Sequence, residues 1–265
     1  MTATKTLKSQ ASMTSLEGRV AFVTGAGSGI GRAGALAMAN CGALVVVTDR
    51  DGDQARAVAD DIRSRGGNAL SWELDVRDDA KLEALITETA DKQGSIDILH
   101  SHAGLQIEGT LEQVPPAGMD ESWSLNVRPH YVAARAAIGP MKRLGGGSII
   151  ITASNSGVQF DRGMVAYATT KHAAVAMTRQ MAADFAADNI RFNALCPGFV
   201  DTPFNAGFEV QMGGRAELER YVSETIPMGR WGTTGEIADA IVFLACDMSS
   251  FITGHALVVD GGESI

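Results

Sequence analysis

The chain is poor in cysteine, in positive charge and in long apolar runs. Only three cysteines occur in 265 residues, Cys41, Cys196 and Cys246. They lie far apart in apolar stretches, with no CxxC and no zinc-type spacing. A disulfide framework and a bound structural metal are therefore not expected, and buried thiols in a reducing cytoplasm are. Lysine and arginine total 22 against 31 aspartates and glutamates, a formal charge of -9. Such a chain is a poor general binder of nucleic acid or of an anionic membrane. No apolar run approaches the ~20 residues of a membrane span. The stretch 1–17 is polar, with Lys5 and Lys8 and no apolar centre, so it does not read as a secretory signal. Residues 1–16 are expected to form a flexible tail and 17–265 a single domain, since no linker or repeat interrupts them.

Glycine is what the chain has in excess: thirty residues, where average usage would give about 19. The excess means either a flexible chain or a backbone brought close to something, and position decides between them. Short β-branched runs at Arg19–Thr24, Ala43–Asp49, Ala69–Val76, Ile96–His100, Ser148–Ala153, Arg191–Cys196 and Ala256–Asp260 read as strands. Helical patterns fall between them, as at Ile30–Cys41, Gln54–Arg65, Asp79–Gln93 and Ala166–Ala187. This alternation predicts an α/β fold with a parallel sheet and helices on both faces. From Pro203 to Gly235 the alternation breaks, apart from a possible helix at Ala216–Thr225. Such an excursion reads as a lid or substrate segment, over about 203–226, with Gly213, Gly214 and Gly232 as candidate hinges.

The first strand runs into Thr24-Gly25-Ala26-Gly27-Ser28-Gly29-Ile30-Gly31 and then a helix. Small residues there admit a pyrophosphate to the backbone, and the helix N-terminus offers free N–H groups. A tight turn would explain the glycines equally well, but Asp49 ends the next strand. A carboxylate at that place accepts hydrogen bonds from ribose hydroxyls and repels a 2′-phosphate, which favours NAD over NADP. Arg50 beside it complicates this, because an arginine can hold a phosphate. Asp49 could also simply cap the next helix. Asp75 and Val76, at the end of the third strand, are placed to reach the adenine.

Tyrosine is scarce too, at three residues. Tyr167 and Lys171 are four apart in a helical pattern and so share a face. An ammonium nearby favours the phenolate; bringing a pKa of ~10 to about 7 takes roughly 4 kcal/mol. The pair alone would more often be a surface contact. Upstream, however, the strand Ile149–Ala153 ends at Ser154, followed by Gly157, and Asn126 lies in a helical stretch after Trp123.

With these motifs in this order, the chain resembles the short-chain dehydrogenase/reductase family, in its compact single-domain branch, from Leu16 to the end. The glycine turn matches over Thr24–Gly31, and the active-site set matches at Asn126, Ser154, Tyr167 and Lys171. The Asn-x-x-x-Pro-Gly stretch matches Asn193–Gly198, and Ile252–Gly254 with Val259–Gly262 resembles the family's ending. The resemblance implies a Rossmann-like, doubly wound seven-stranded parallel sheet in the order 3-2-1-4-5-6-7. It implies reversible hydride transfer between NAD and an alcohol or ketone. Tyr167 would act as acid–base, Ser154 would hold the substrate oxygen, and Lys171 would lower the Tyr167 pKa and hold the nicotinamide ribose. Asn126 would anchor a water leading to Lys171. Pro197, Gly198, Val200 and Thr202 would complete the cofactor contacts, and a homotetramer is the common assembly.

One motif departs. The family's Asn-Asn-Ala-Gly reads Ser101-His102-Ala103-Gly104 here. Ala103 and Gly104 can still approach a cofactor. His102 either substitutes as a plain hydrogen-bonding group or titrates near neutrality and tunes the reaction. Candidate substrate contacts are Gln106, Ser154, Ser156, Gln159, Arg162, Tyr167, Phe199 and Phe204. This mixture suits a small polar secondary alcohol, such as a sugar, polyol, cyclic diol or hydroxy acid. A 3-oxoacyl carrier-protein reductase is the alternative enzyme, and a non-catalytic NAD-binding sensor or scaffold the alternative of another class.

Overall fold

In the computed structural model, residues 13–265 are described. The tail assigned to 1–16 lies mostly outside them. Its last residue, Leu16, is fully buried, and its N–H donates to the Cys41 carbonyl at 2.7 Å. Leu16 therefore belongs to the core, not to the tail.

The described residues form a seven-stranded sheet with the order β3-β2-β1-β4-β5-β6-β7, all pairs parallel. The strands are β1 Val20–Thr24, β2 Leu44–Asp49, β3 Asn68–Glu73, β4 Ile98–Ser101, β5 Gly147–Thr152, β6 Ile190–Pro197 and β7 Ala256–Val259. Their central members are buried along nearly their whole length because both faces are covered. On one face pack α1 Gly29–Asn40, α2 Gly52–Ser64 and α9 Thr234–Ala245, through Ala35, Met38, Ala59 and Ile241. On the other pack α3 Asp79–Gln93, α5 Arg128–Leu144 and α6 Val165–Phe185, through Leu82, Ile86, Ala137 and Ala174. Helix α4 Pro116–Asn126 lies beside α5 and α6. The fold is thus doubly wound. The strand order reverses between β1 and β4, which opens a crevice at their carboxyl ends.

Two local readings are corrected. The third strand stops at Glu73 rather than Val76: the Leu74 N–H still reaches the Asp49 carbonyl, at 2.8 Å, and the chain then turns away. The stretch after Pro203 is largely helical, with α7 Ala206–Gln211 and α8 Arg215–Thr225. Gly213 and Gly214 separate the two helices at φ +92° and +120°, a conformation open to glycine.

Candidate active site

A cleft of about 990 Å³ runs along the carboxyl edge of the sheet. Gly25, Ser28, Gly29 and Ile30 line one end, with Asp49, Arg50, Asp75 and Val76. His102, Ala103 and Gly104 line its middle, opposite Pro197, Gly198, Val200 and Thr202. Ser154, Ser156, Tyr167 and Lys171 line the other end, with Gln106, Arg162, Phe199 and Phe204. Gly27, Gly31, Asn126 and Gln159 do not line it.

At Gly27 and Gly31 the turn is packed too closely for a side chain. A Cβ on Gly31 would sit 2.1 Å from the Gly25 carbonyl oxygen, and one on Gly27 would sit 2.9 Å from the Asp49 carboxylate. Gly27 donates its N–H to Asp49 Oδ2 at 2.9 Å. Asp49 does not cap α2; Asp51 does, accepting from the N–H groups of Asp53 and Gln54. The Thr24 hydroxyl, at the end of β1, accepts from the N–H groups of His102 and Ala103 at 2.9 and 3.2 Å. It ties the first and fourth strands together across the reversal point. The fit to a dinucleotide is therefore a backbone cradle at a helix N-terminus, closed on one side by a carboxylate. Among the described residues no acidic, histidine or cysteine cluster suits a metal.

His102 bonds through Nδ1 to Thr152 Oγ1 at 3.1 Å, and His100 reaches the same hydroxyl from Nε2 at 2.9 Å. Burial, with the Lys171 charge, pushes the His102 pKa down to about 4. This favours the neutral imidazole, the hydrogen-bonding form, of the two roles open to His102.

Tyr167 and Lys171 both emerge from the first turns of α6 and are buried, at 6% and 3% exposure. The Lys171 Nζ donates to the Thr152 carbonyl at 3.1 Å and stands 5.5 Å from the centre of the Tyr167 ring. Burial lowers its pKa to about 8. The phenol behaves differently from the simple expectation. Burial drives the Tyr167 pKa up to about 12, against the opposing effect of a hydrogen bond with Ser154. The carboxylates of Asp161 and Glu108 add to the rise. Desolvation outweighs the hydrogen bond from Ser154 in the protein itself. Ser154, at the end of β5, is held by the Ser156 N–H at 3.2 Å.

Asn126 holds no free amide. Its Oδ1 accepts from the Leu105 N–H at 2.8 Å, and its Nδ2 donates to the Leu105 carbonyl at 2.9 Å and to Thr170 Oγ1 at 3.0 Å. Its side chain pins the β4 loop to α6.

The profile of the family described as enoyl-(acyl carrier protein) reductase matches residues 25–264. The 2-keto-3-deoxy-L-fuconate dehydrogenase of Xanthomonas campestris is 37% identical over 255 residues, 95% of this chain and 82% of the relative. The chain belongs to the short-chain dehydrogenase/reductase family. This short-chain dehydrogenase/reductase is also similar to two solved structures. One is a gluconate 5-dehydrogenase from Burkholderia cenocepacia with NADP and tartrate, at 33% identity and TM-score 0.90, covering 96% of this chain and 98% of that one. The other is a 7α-hydroxysteroid dehydrogenase with NADH, at 32% identity and TM-score 0.89, covering 96% and 98%. The enzyme is therefore an oxidoreductase of hydroxyl and keto groups.

Several cleft residues carry no sequence signal of their own. Thr152 bonds both histidines and, through its carbonyl, Lys171. Glu108, Asn155, Asp161, Tyr221 and Glu263 reach the same end from separate loops and from α8. No local pattern marks them, because only the fold brings those segments together.

Proposed function

We propose that this short-chain dehydrogenase/reductase moves a hydride between NAD and a small polar secondary alcohol or its ketone. The observation that carries this is the meeting of Ser154, Tyr167 and Lys171 at one end of a cleft whose other end is the glycine cradle. A bound nicotinamide takes or gives the hydride and, when oxidised, adds positive charge to the site. The Ser154 hydroxyl holds the substrate oxygen. With its pKa near 12 the Tyr167 phenol keeps its proton, and is ready to deliver it to a carbonyl oxygen. Accepting a proton at neutral pH requires lowering that pKa by about five units, about 7 kcal/mol at 1.36 per unit. This exceeds what the free phenol would need, and Lys171 supplies part of it by favouring the phenolate.

The cofactor half of the cleft supports NAD over NADP. The Asp49 carboxylate lines this end of the cleft beside the glycine turn, and a carboxylate there would repel a 2′-phosphate. Arg50 lines the same end, so the preference rests on Asp49 outweighing it. Gly104 and Lys171 lie together in the cleft, a Cβ on Gly104 being 3.4 Å from Lys171 Nζ, which would let both meet the ribose beside a nicotinamide; Thr202 Cγ2 is 3.6 Å from a Cβ built on Gly29. Exposed Trp123 and Tyr131 on α4 and α5 supply apolar surface for self-association, which supports a homotetramer. Free Cys41, Cys196 and Cys246 suit the reducing cytoplasm.

The test is a panel of secondary alcohols, sugars and polyols with NAD and with NADP. The reading expects turnover with at least one small polar alcohol and a preference for NAD. Bound cofactor with no turnover across the panel would restore the sensor reading.

A further inference from the structure

The substrate end of the cleft carries more negative charge than acid–base chemistry requires. Glu108 comes from the loop after β4, Asp161 from the loop before α6, and Glu263 from the turn after β7. Among the described residues each is held by neutral donors and none enters an ion pair. Gln106 Nε2 donates to Glu108 at 3.1 Å. Ser156 Oγ and Gln159 Nε2 donate to Asp161 at 2.6 and 3.1 Å. Asn155 Nδ2 donates to Glu263 at 2.8 Å. Neutral donors fix the direction of a carboxylate without neutralising it as a cation would.

Glu263 is not on a loose end. Asp260 accepts from the N–H groups of Gly262 and Ser264, both at 2.9 Å. The Gly261 carbonyl accepts from the Met228 N–H at 3.1 Å. The turn is thereby fastened to the segment after α8. Asp161 and Glu108 both raise the Tyr167 pKa, and burial, with the Asp161 charge, raises Glu263 to about 7, so the full wall is charged above that pH. The cations at this end are Lys171, which is buried and bonded to Thr152, and Arg162, which is exposed at the rim.

We propose that Glu108, Asp161 and Glu263 form an acidic wall beside Tyr167 that selects an uncharged substrate bearing a second hydroxyl and rejects substrates carrying a carboxylate or phosphate. A hydroxyl donates to a carboxylate oxygen, whereas an anion meets a like charge between low-dielectric walls, where repulsion is screened less than in open water. The inference rests on the dehydrogenase reading and narrows it from any small polar alcohol to a polyol or cyclic diol. A hydroxy acid and a sugar acid fall outside it.

The test uses cyclohexane-1,2-diol and 2-hydroxycyclohexanecarboxylate, which share a ring and differ in charge. Their binding to the NADH-loaded protein is measured by titration calorimetry at about pH 8.5, where a group with a pKa near 7 is ionised, in the natural chain and in Glu108→Gln, Glu263→Gln and Arg162→Gln. The expected result is diol affinity at least tenfold above the carboxylate, a ratio that shrinks at least threefold in each glutamine variant of an acid and does not shrink in Arg162→Gln. Equal or tighter binding of the carboxylate, its loss in Arg162→Gln, or absence of diol binding overturns the proposal. Failure of the dehydrogenase reading is separate: the diol would bind as described with no hydride transfer to NAD.

Discussion

Asn126 and Leu105 grip each other through two hydrogen bonds, Leu105 N–H to Asn126 Oδ1 at 2.8 Å and Asn126 Nδ2 to the Leu105 carbonyl at 2.9 Å. Behind Gly104, the same Oδ1 lies 2.9 Å from where a Cβ would stand. The amide thus fixes the loop that carries Ala103 and Gly104 to the cleft. Asn126→Asp keeps the shape but removes both Nδ2 donations and buries a charge. It is expected to cost about 2–3 kcal/mol, seen as a lower denaturation midpoint, and to weaken cofactor binding. An unchanged midpoint would show that the clasp carries no stability.

Asp49→Ser removes the carboxylate that closes the glycine cradle. The ratio of kcat/KM with NAD to that with NADP is expected to fall at least tenfold, about 1.4 kcal/mol. Steady-state kinetics with the two cofactors checks this, and an unmoved ratio would assign the choice to Arg50 or another group.

His102→Asn is expected to leave the pH–rate profile unchanged above about pH 6. With its pKa near 4, the imidazole gains no proton in that range. A limb of the profile that moves with this substitution would mean that His102 titrates during turnover.

Glu263 predicts a pH-dependent stability. Its folded pKa, near 7, is above the ordinary carboxyl value of ~4.3. The protonated form therefore favours folding, fully below about pH 4, and this contribution is lost as pH rises through about 7. Glu263→Gln, which mimics the protonated group, is expected to raise Tm at about pH 8.5 and to leave it nearly unchanged at about pH 4.5. Thermal unfolding at both values decides it, and an equal shift at both would exclude the ionisation as the cause.

Much of this molecule is legible in sequence because it is local. The glycine turn, the strand ends at Asp49 and Ser154, and the Tyr167–Lys171 spacing each sit within one strand–turn–helix unit. The parallel sheet follows from alternating apolar and amphipathic runs, and the structure has its order as the family resemblance implies. What stayed hidden is set by contacts across segments. The high Tyr167 pKa depends on how deeply α6 is buried and on carboxylates from other loops. The Asn126 clasp needs the β4 loop, α4 and α6 together. Glu263 enters the cleft only because β7 ends beside β6. The stretch after Pro203 misleads for a different reason: α7 is short, and the Gly213-Gly214 pair breaks the helical period before α8 begins.

The central claim is that Tyr167 exchanges a proton with the substrate oxygen as hydride moves to or from NAD. The most direct measurement is the growth of reduced-nicotinamide absorbance with a polar secondary alcohol, in the natural chain and in Tyr167→Phe, alongside NADH binding. The account predicts a fall in kcat of about 10²–10⁴, with NADH affinity kept within about threefold. Near-normal turnover in Tyr167→Phe, with cofactor bound, would contradict it.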